Sequence, residues 1–432
     1  MPAESPKRPK RILSFLLTAL ALVLSWLVVS RTLVAYLERI NPEWALAIRA
    51  SDADAELKLA NVWLARTAQA EGDLAAPNPN FETREQVRQR LLRALHAEPL
   101  NAWGFELLGM LAAGSGDTLS ATTFMQAAME RSLRRPAASY WLLRQSLSGK
   151  NVDSAINYAD ALLRIRPDLI SEVTPALVEI AAIPSGAEGL IDTLATAPPW
   201  RTKFFIALAG DAKGDTKNVE LPAKLLLGLL QSEHPPAPHE VNPYLRSLIA
   251  GRHYELAYST WLQLLTSQQL AAAGLLFNGS FQTKPSGLPF DWTIERSNGA
   301  FVEVAPAHDQ THESALSLEF GGGRVDLRPI YQFLLLSPGR YRLAGLSRGG
   351  LKGLRGLKWQ IACVEQHARP LGESQAFLDG PFTWMQFTIG FDVPAGCRAQ
   401  ILRLVLDARS ASETMVSGSF TFTGLRIERD AR

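Results

Sequence analysis

The change of pattern at Leu275 limits the fold of this chain more than any other feature. Over residues 41–270 apolar side chains recur three and four positions apart with charges between them, which is helical spacing. Residues 275–294, "LLFNGSFQTKPSGLPFDWTI", then carry Asn-Gly, Pro-Ser-Gly and Pro-Phe-Asp-Trp, and the helical period ends. Glycine and proline at that density set turns and short strands instead. Two architectures must therefore coexist, and 432 residues supply more than one core. A content of 47% apolar and 20% charged residues is that of a globular protein. The formal net charge of +2 supplies no overall field for nucleic acid.

The N-terminus carries the second constraint. Lys7, Arg8, Lys10 and Arg11 precede "ILSFLLTALALVLSWLVVS", residues 12–30, which contain no charge. As a helix this run extends about 28 Å, close to the hydrocarbon thickness of a bilayer. Basic residues before it favour a cytoplasmic tail and an exported bulk, with Arg31 and Arg39 slightly weakening the asymmetry. The alternative is a cleaved signal, for which Val28-x-Ser30 offers a small-residue site. The run exceeds the signal core of about 7–15 residues, so a retained single-pass anchor in an inner membrane, with the bulk in the periplasm, is the expectation.

The helical stretch carries a recurrence. Pro99, Pro136 and Pro167 each follow a charged helix end and precede a new apolar segment, at spacings of 37 and 31 residues. In "PAASYWLLRQSLSGKNVDSAINYADALLRIRP" the small residues Ala155 and Ala159 lie one helical turn apart, where they let two helices approach closely. This resembles the tetratricopeptide repeat of about 34 residues. The stack it implies either docks protein partners on a concave surface or spaces the terminal domain from the membrane.

Beyond residue 275, strand segments alternate with turns: "FDWTIERS", "FVEVAPA", "ALSLEFGGG", "IYQFLLLSPGRYRLAGLSRGG", "LKWQIACVEQ", "PFTWMQFTIGFDVP", "CRAQILRLVLDARS" and "VSGSFTFTGLRIER". In residues 382–391 Met385, Phe387, Ile389 and Phe391 share one face, and Trp384, Gln386 and Thr388 the other. Leu402, Leu404 and Leu406 likewise oppose Ile401, Arg403, Val405 and Asp407. Such a series describes an antiparallel two-sheet sandwich. The expected class is thus α plus all-β: a basic tail (1–11), a transmembrane helix (12–30), a repeat-like helical region (41–270) and a jelly-roll sandwich (275–432). Cys363 and Cys397, the two cysteines, fall in the sandwich. In an exported chain they are a disulfide candidate, with two buried free thiols as the alternative.

The order "NGSF…PFDW", "ALSLEF", "LSPGRYRL", a tryptophan strand, "FDVP" and "VSGSFTFTGLRI" resembles the carbohydrate-binding jelly rolls attached to glycan-active enzymes. Anchor, repeats and sandwich together look like Gram-negative envelope proteins linked to exopolysaccharide synthesis and export. The resemblance implies an aromatic plane for the sugar ring beside side chains that bond its hydroxyls. Trp359, Trp384, Gln360, Gln386, Arg348 and Arg403 fit that description, although a sandwich core also needs large inward side chains and both tryptophans suit one. Asp291 and Trp292 are expected to secure the strand entry. Arg348, Lys352, Arg355 and Lys358 form a basic stretch read as a loop, either solvated or facing an acidic polysaccharide. Jelly rolls of this type often hold a structural calcium, whose ligands no residue pattern singles out here; no other cofactor is implied.

Catalytic signatures are missing from the sequence. There is no nucleophile elbow, no phosphate-cradling Gly-Lys-Ser/Thr loop and no zinc-protease helix. "FGGGRVD" and "RGGLKGLRG" do not open helices, so phosphate binding is unsupported. His308, Asp309 and His312 have metal-like spacing but lack a third distant ligand, and solvated loop histidines are the plainer reading. The sequence therefore points to a non-catalytic envelope protein with polysaccharide and polysaccharide-synthesis or export proteins as partners. An assembly scaffold without sugar affinity and a polysaccharide-cleaving enzyme are the alternatives.

Overall fold

The computed structural model describes residues 9–49, 52–70, 82–211, 219–306, 314–365, 369–380 and 383–430. It divides into two compact units, Met1–Leu190 and Ile191–Arg432. The first begins with α1 (Pro9–Ile40), whose segment Phe15–Leu37 is long and apolar enough to cross a membrane and is almost wholly exposed. Asn41 accepts from the Glu43 backbone N–H and Pro42 takes the first helical position, so a new helix, α2 (Pro42–Ile48), starts at once. Val34 near the end of α1 is buried in a small cluster with Ala45 and Ala55.

Five helices follow in succession: α3 (Ala53–Ala70), α4 (Arg84–Ala97), α5 (Ala102–Ala113), α6 (Thr118–Arg131) and α7 (Pro136–Ser148). Three more close the series: α8 (Val152–Ile165), α9 (Ile170–Ala181) and α10 (Pro184–Ala195). Local chemistry starts several of these helices. Thr83 and Gln86 form a capping box, Asn101, Asp117 and Asn151 cap α5, α6 and α8, and Pro136 opens α7. α3 packs on α4, α5 on α6 and α7 on α8. Ala155 and Ala159 are both fully buried in α8. Leu57, Val87, Leu91, Leu107 and Leu111 form one core among these helices. Glu56 is buried there, and Arg90 and Arg93 both pair with it.

The boundary between units falls inside α10, well before the change of pattern at Leu275. Helices α11 (Arg201–Asp211), α12 (Leu221–Gly228), α13 (Pro238–Ala250), α14 (Tyr254–Gln263) and α15 (Ser267–Ala271) belong with the strands. Arg201 and Glu240, both nearly inaccessible, clasp α11 to α13 at 2.8 Å. Trp261 of α14 meets Phe277 edge-on at 5.1 Å and Phe290 at 5.7 Å, and Tyr258 packs on Phe290.

The turn-rich stretch after Leu275 thus joins helices to sheets. Asp291 accepts from the Ser286 backbone N–H and hydroxyl and from the Trp292 N–H. Trp292 is fully buried and donates its indole N–H to the Asn278 carbonyl. Both residues secure the entry to the sheets. Gln332, also buried, holds both the N–H and the carbonyl of Phe277 at 3.0 Å.

The strands are β1 (Ala300–Pro306), β2 (Ser314–Arg324), β3 (Ile330–Leu334), β4 (Gly339–Gly353) and β5 (Leu357–Cys363). They continue with β6 (Pro370–Glu373), β7 (Met385–Val393), β8 (Gln400–Leu406) and β9 (Met415–Arg429). Among the described residues they form a five-stranded sheet, β1-β2-β9-β4-β7, and a four-stranded sheet, β3-β8-β5-β6, with every pairing antiparallel. This is a jelly-roll-like sandwich. Leu316, Leu318, Leu343, Trp359, Ile361, Leu402, Leu404 and Phe422 are among the fully buried side chains between the sheets. Cys363 and Cys397 are bridged, with Cα atoms 5.5 Å apart.

Two expectations need correction. Arg348, Lys352, Arg355 and Lys358 do not share a loop: the first two stand on β4, Arg355 follows it and Lys358 stands on β5 of the other sheet. The strand read from residue 382 begins at Met385, and Phe382 lies outside the described residues.

Candidate functional site

The outer face of the five-stranded sheet follows from strand register. Tyr341 and Leu343 of β4 and Phe387, Ile389 and Phe391 of β7 turn toward the core, so their sequence neighbours turn outward. Across the middle strands, Ser317 pairs with Thr421 and Thr421 with Arg348. Glu319 pairs with Ser419 and Ser419 with Gly350, while Ser417 pairs with Lys352. The floor of this face is therefore built from small residues: Ser317, Ser417, Ser419, Thr421 and Gly350. Longer side chains stand at both sides, with Arg348 and Lys352 on β4, and Phe301, Glu303 and Glu319 on β1 and β2.

Strands β4 and β9 approach closely at the centre. Gly349 has φ +124°, and a Cβ there would sit 2.3 Å from the Ser419 carbonyl oxygen. No L side chain fits that position without parting β4 from β9. Beside it, the Arg348 guanidinium lies 4.5 Å above the centre of the half-buried Trp384 ring, immediately before β7. A cation over an indole face is attracted by the ring quadrupole, so each side chain holds the other in place. Arg348 and Gln386 also line a cavity of about 380 Å³ with Gln375, Asp379 and Thr388.

The sequence-predicted residues separate into three places. Arg348, Trp384 and Gln386 come together at the β4–β7 side of the five-stranded sheet. Trp359 is fully buried, touching Trp292 and Phe422, and is a core residue that no sugar reaches. Its strand carried the signal, because Leu357, Ile361 and Cys363 share its parity, whereas Trp384 shares parity with Gln386 and Thr388. Gln360 and Arg403 stand on the outer face of the opposite sheet. There Arg403 Nε donates to Gln360 Oε1 at 3.2 Å, and Gln360 donates to Glu373. Lys358 on that face bonds Asp407 and Glu373; the Asp407 hydrogen bond foremost holds its ammonium above the ordinary lysine range. Arg355 pairs with Glu413. The floor hydroxyls Ser317, Ser417, Ser419 and Thr421 escaped sequence reasoning, since serine and threonine at alternate positions mark an outer face without saying what meets it.

Among the described residues no group of three or more His, Cys, Asp or Glu side chains converges as a metal site. His308, Asp309 and His312 lie outside the described residues.

No protein family matches the chain, and no curated protein matches it. Solved structures similar to its C-terminal part include a CBM4 carbohydrate-binding module, with 10% identity, TM-score 0.27, and coverage of 36% of this chain and 99% of that one. A CBM61 module in complex with β-1,4-galactotriose shows 15% identity and TM-score 0.26 over 37% of this chain and 99% of that one. The CBM22-1 xylan-binding domain of Xyn10C from Paenibacillus barcinonensis shows 12% identity and TM-score 0.23 over 32% of this chain and 87% of that one.

Proposed function

We propose that the outer face of the five-stranded sheet binds a polysaccharide, and that the chain is a non-catalytic glycan-binding protein. The observation that carries this reading is the Arg348–Trp384 pair beside a floor of Ser and Thr hydroxyls. The part of the Trp384 ring that Arg348 leaves uncovered supplies apolar surface for the C–H side of a pyranose. Arg348 donates to ring hydroxyls, and the floor hydroxyls both donate and accept. The small floor lets an extended chain lie across the strands, and five strands spaced about 4.8 Å apart give it roughly 19 Å of track.

The remaining parts of the molecule support a place for this activity. The segment Phe15–Leu37 anchors the protein in the inner membrane, with its bulk in the periplasm. The helix pairs α3–α4, α5–α6 and α7–α8 act as tetratricopeptide-like docking surfaces for polysaccharide-synthesis or export proteins. In this reading the protein holds nascent exopolysaccharide near its export machinery.

Stacking and a few hydroxyl bonds, each netting about 1 kcal/mol, give a Kd between roughly micromolar and millimolar. The full chain in mild detergent can be run in affinity gels containing mixed-linkage glucan, xylan, polygalacturonate or the polysaccharide of the producing strain. Trp384→Ala is expected to weaken binding about tenfold, near 1.4 kcal/mol. If no polysaccharide retards the full chain, the scaffold without sugar affinity becomes the better account. An unchanged affinity in the Trp384 variant would move binding off this face.

A further inference from the structure

On the outer side of the four-stranded sheet, the helices of the second unit leave a cavity of about 570 Å³. Arg246, Arg252, Tyr254, Tyr331, Phe333 and Glu365 line it. Tyr331 and Phe333 are outward neighbours on β3, their rings 5.7 Å apart and nearly perpendicular. Arg246, on α13, is held from two sides. Its Nε donates to Asn242 Oδ1 at 3.0 Å and its Nη2 donates to the Tyr331 hydroxyl oxygen at 2.9 Å. Neither partner is a carboxylate, and among the described residues no carboxylate forms an ion pair with Arg246.

Among the described residues lining the cavity, Glu365 carries the one negative charge. It accepts from the Tyr254 hydroxyl at 3.3 Å and lies 3.9 Å from Arg252. Burial first, and then Glu365, hold the Tyr254 hydroxyl above its ordinary value, so it stays a proton donor. Two guanidinium groups against one carboxylate leave the cavity positive.

We propose that this cavity is a second binding site, separate from the five-stranded face, for a pyranose carrying a carboxylate: a uronate residue. A fixed guanidinium with an uncommitted Nη1 presents paired donors to a planar carboxylate. The Tyr331 hydroxyl, having accepted from Arg246, keeps its own proton for a ligand oxygen. The aromatic wall takes the C–H side of the sugar ring. The volume falls in the range of about 300–1,000 Å³ usual for small-molecule sites. A neutral sugar leaves the Arg246 charge unanswered, and a small aliphatic acid leaves the aromatic wall uncovered.

The test uses the full chain in detergent, titrated by saturation-transfer NMR with methyl glucuronide, methyl glucoside and acetate. The glucuronide is expected to bind at least tenfold more tightly than the other two. Arg246→Gln should abolish that preference, and Tyr331→Phe, which keeps the ring, should weaken the glucuronide several-fold. Trp384→Ala should leave the glucuronide preference and its dependence on Arg246 intact, which separates the cavity from the sheet face. Thermal melting checks folding, and Arg246→Lys, retaining charge without the fork, replaces Arg246→Gln if that variant does not fold. Equal binding of glucoside or acetate, no saturable binding of glucuronide, a preference that survives both Arg246 variants, or loss of it in Trp384→Ala would each overturn the proposal.

Discussion

Replacing Glu240 by alanine is expected to destabilise the second unit by about 3–5 kcal/mol, because a buried guanidinium is left without its counter-charge. Arg201 and Glu240 are 4% and 5% exposed, and their contact is 2.8 Å. Arg201 also donates to the carbonyls of Leu194 and His234, and Glu240 accepts from the Ala237 N–H, which starts α13. One ion pair therefore closes the proline-rich segment before α13 onto the start of α11. Removing the acid strands the base; removing both charges does not. The double variant Arg201→Met/Glu240→Leu should recover part of the loss, the remainder being the orphaned Leu194 and His234 carbonyls and the orphaned Ala237 N–H. Guanidinium titration of the full chain, followed by tryptophan fluorescence, measures both. A single-variant loss below about 1 kcal/mol would show that water reaches the pair and screens it.

The second large effect is expected from the disulfide. Cys363 and Cys397 are 34 positions apart, and a loop of that length corresponds to about 3–4 kcal/mol of lost unfolded-state entropy. The bridge ties the end of β5 to the turn that enters β8. There Gln400 already donates to the carbonyls of Leu336 and Cys397, so the bridge reinforces an ordered corner. Reducing agent and the double variant Cys363→Ala/Cys397→Ala should each lower the denaturant midpoint by the equivalent amount. Coincident oxidised and reduced curves would mean that the corner holds without the covalent link.

What the sequence disclosed and what it withheld follow the reach of each interaction. The end of the helical pattern at Leu275, the alternation from Phe387 to Phe391 and the capped starts of α4, α5 and α8 depend on neighbours a few positions away. Sequence pattern reports these directly. The boundary between compact units depends on Arg201 meeting Glu240 and on Trp261 meeting Phe290, contacts between segments with no shared local pattern. The candidate site divides the same way. Parity placed Trp384, Gln386 and Thr388 on one face correctly. The approach of Arg348 to Trp384, and of Arg246 to Tyr331 across 85 positions, needed the fold. The basic stretch after Arg348 looked like a loop because glycines interrupt it. Two of those glycines, Gly349 and Gly353, are instead what allows β4 and β9 to lie so close.

The packing of α14 against the strand entry also bears on how such a chain can be recombined. A gene fusion cut at residue 275 would carry the sheets away from Trp261 and Tyr258 and leave Phe277 and Phe290 facing solvent. An exposed aromatic seam of that kind favours association with the nearest apolar surface. A cut at the start of the turn-rich entry therefore does not free the sandwich cleanly from its helices. The compact unit that holds it starts at Ile191, and five helices belong to that unit.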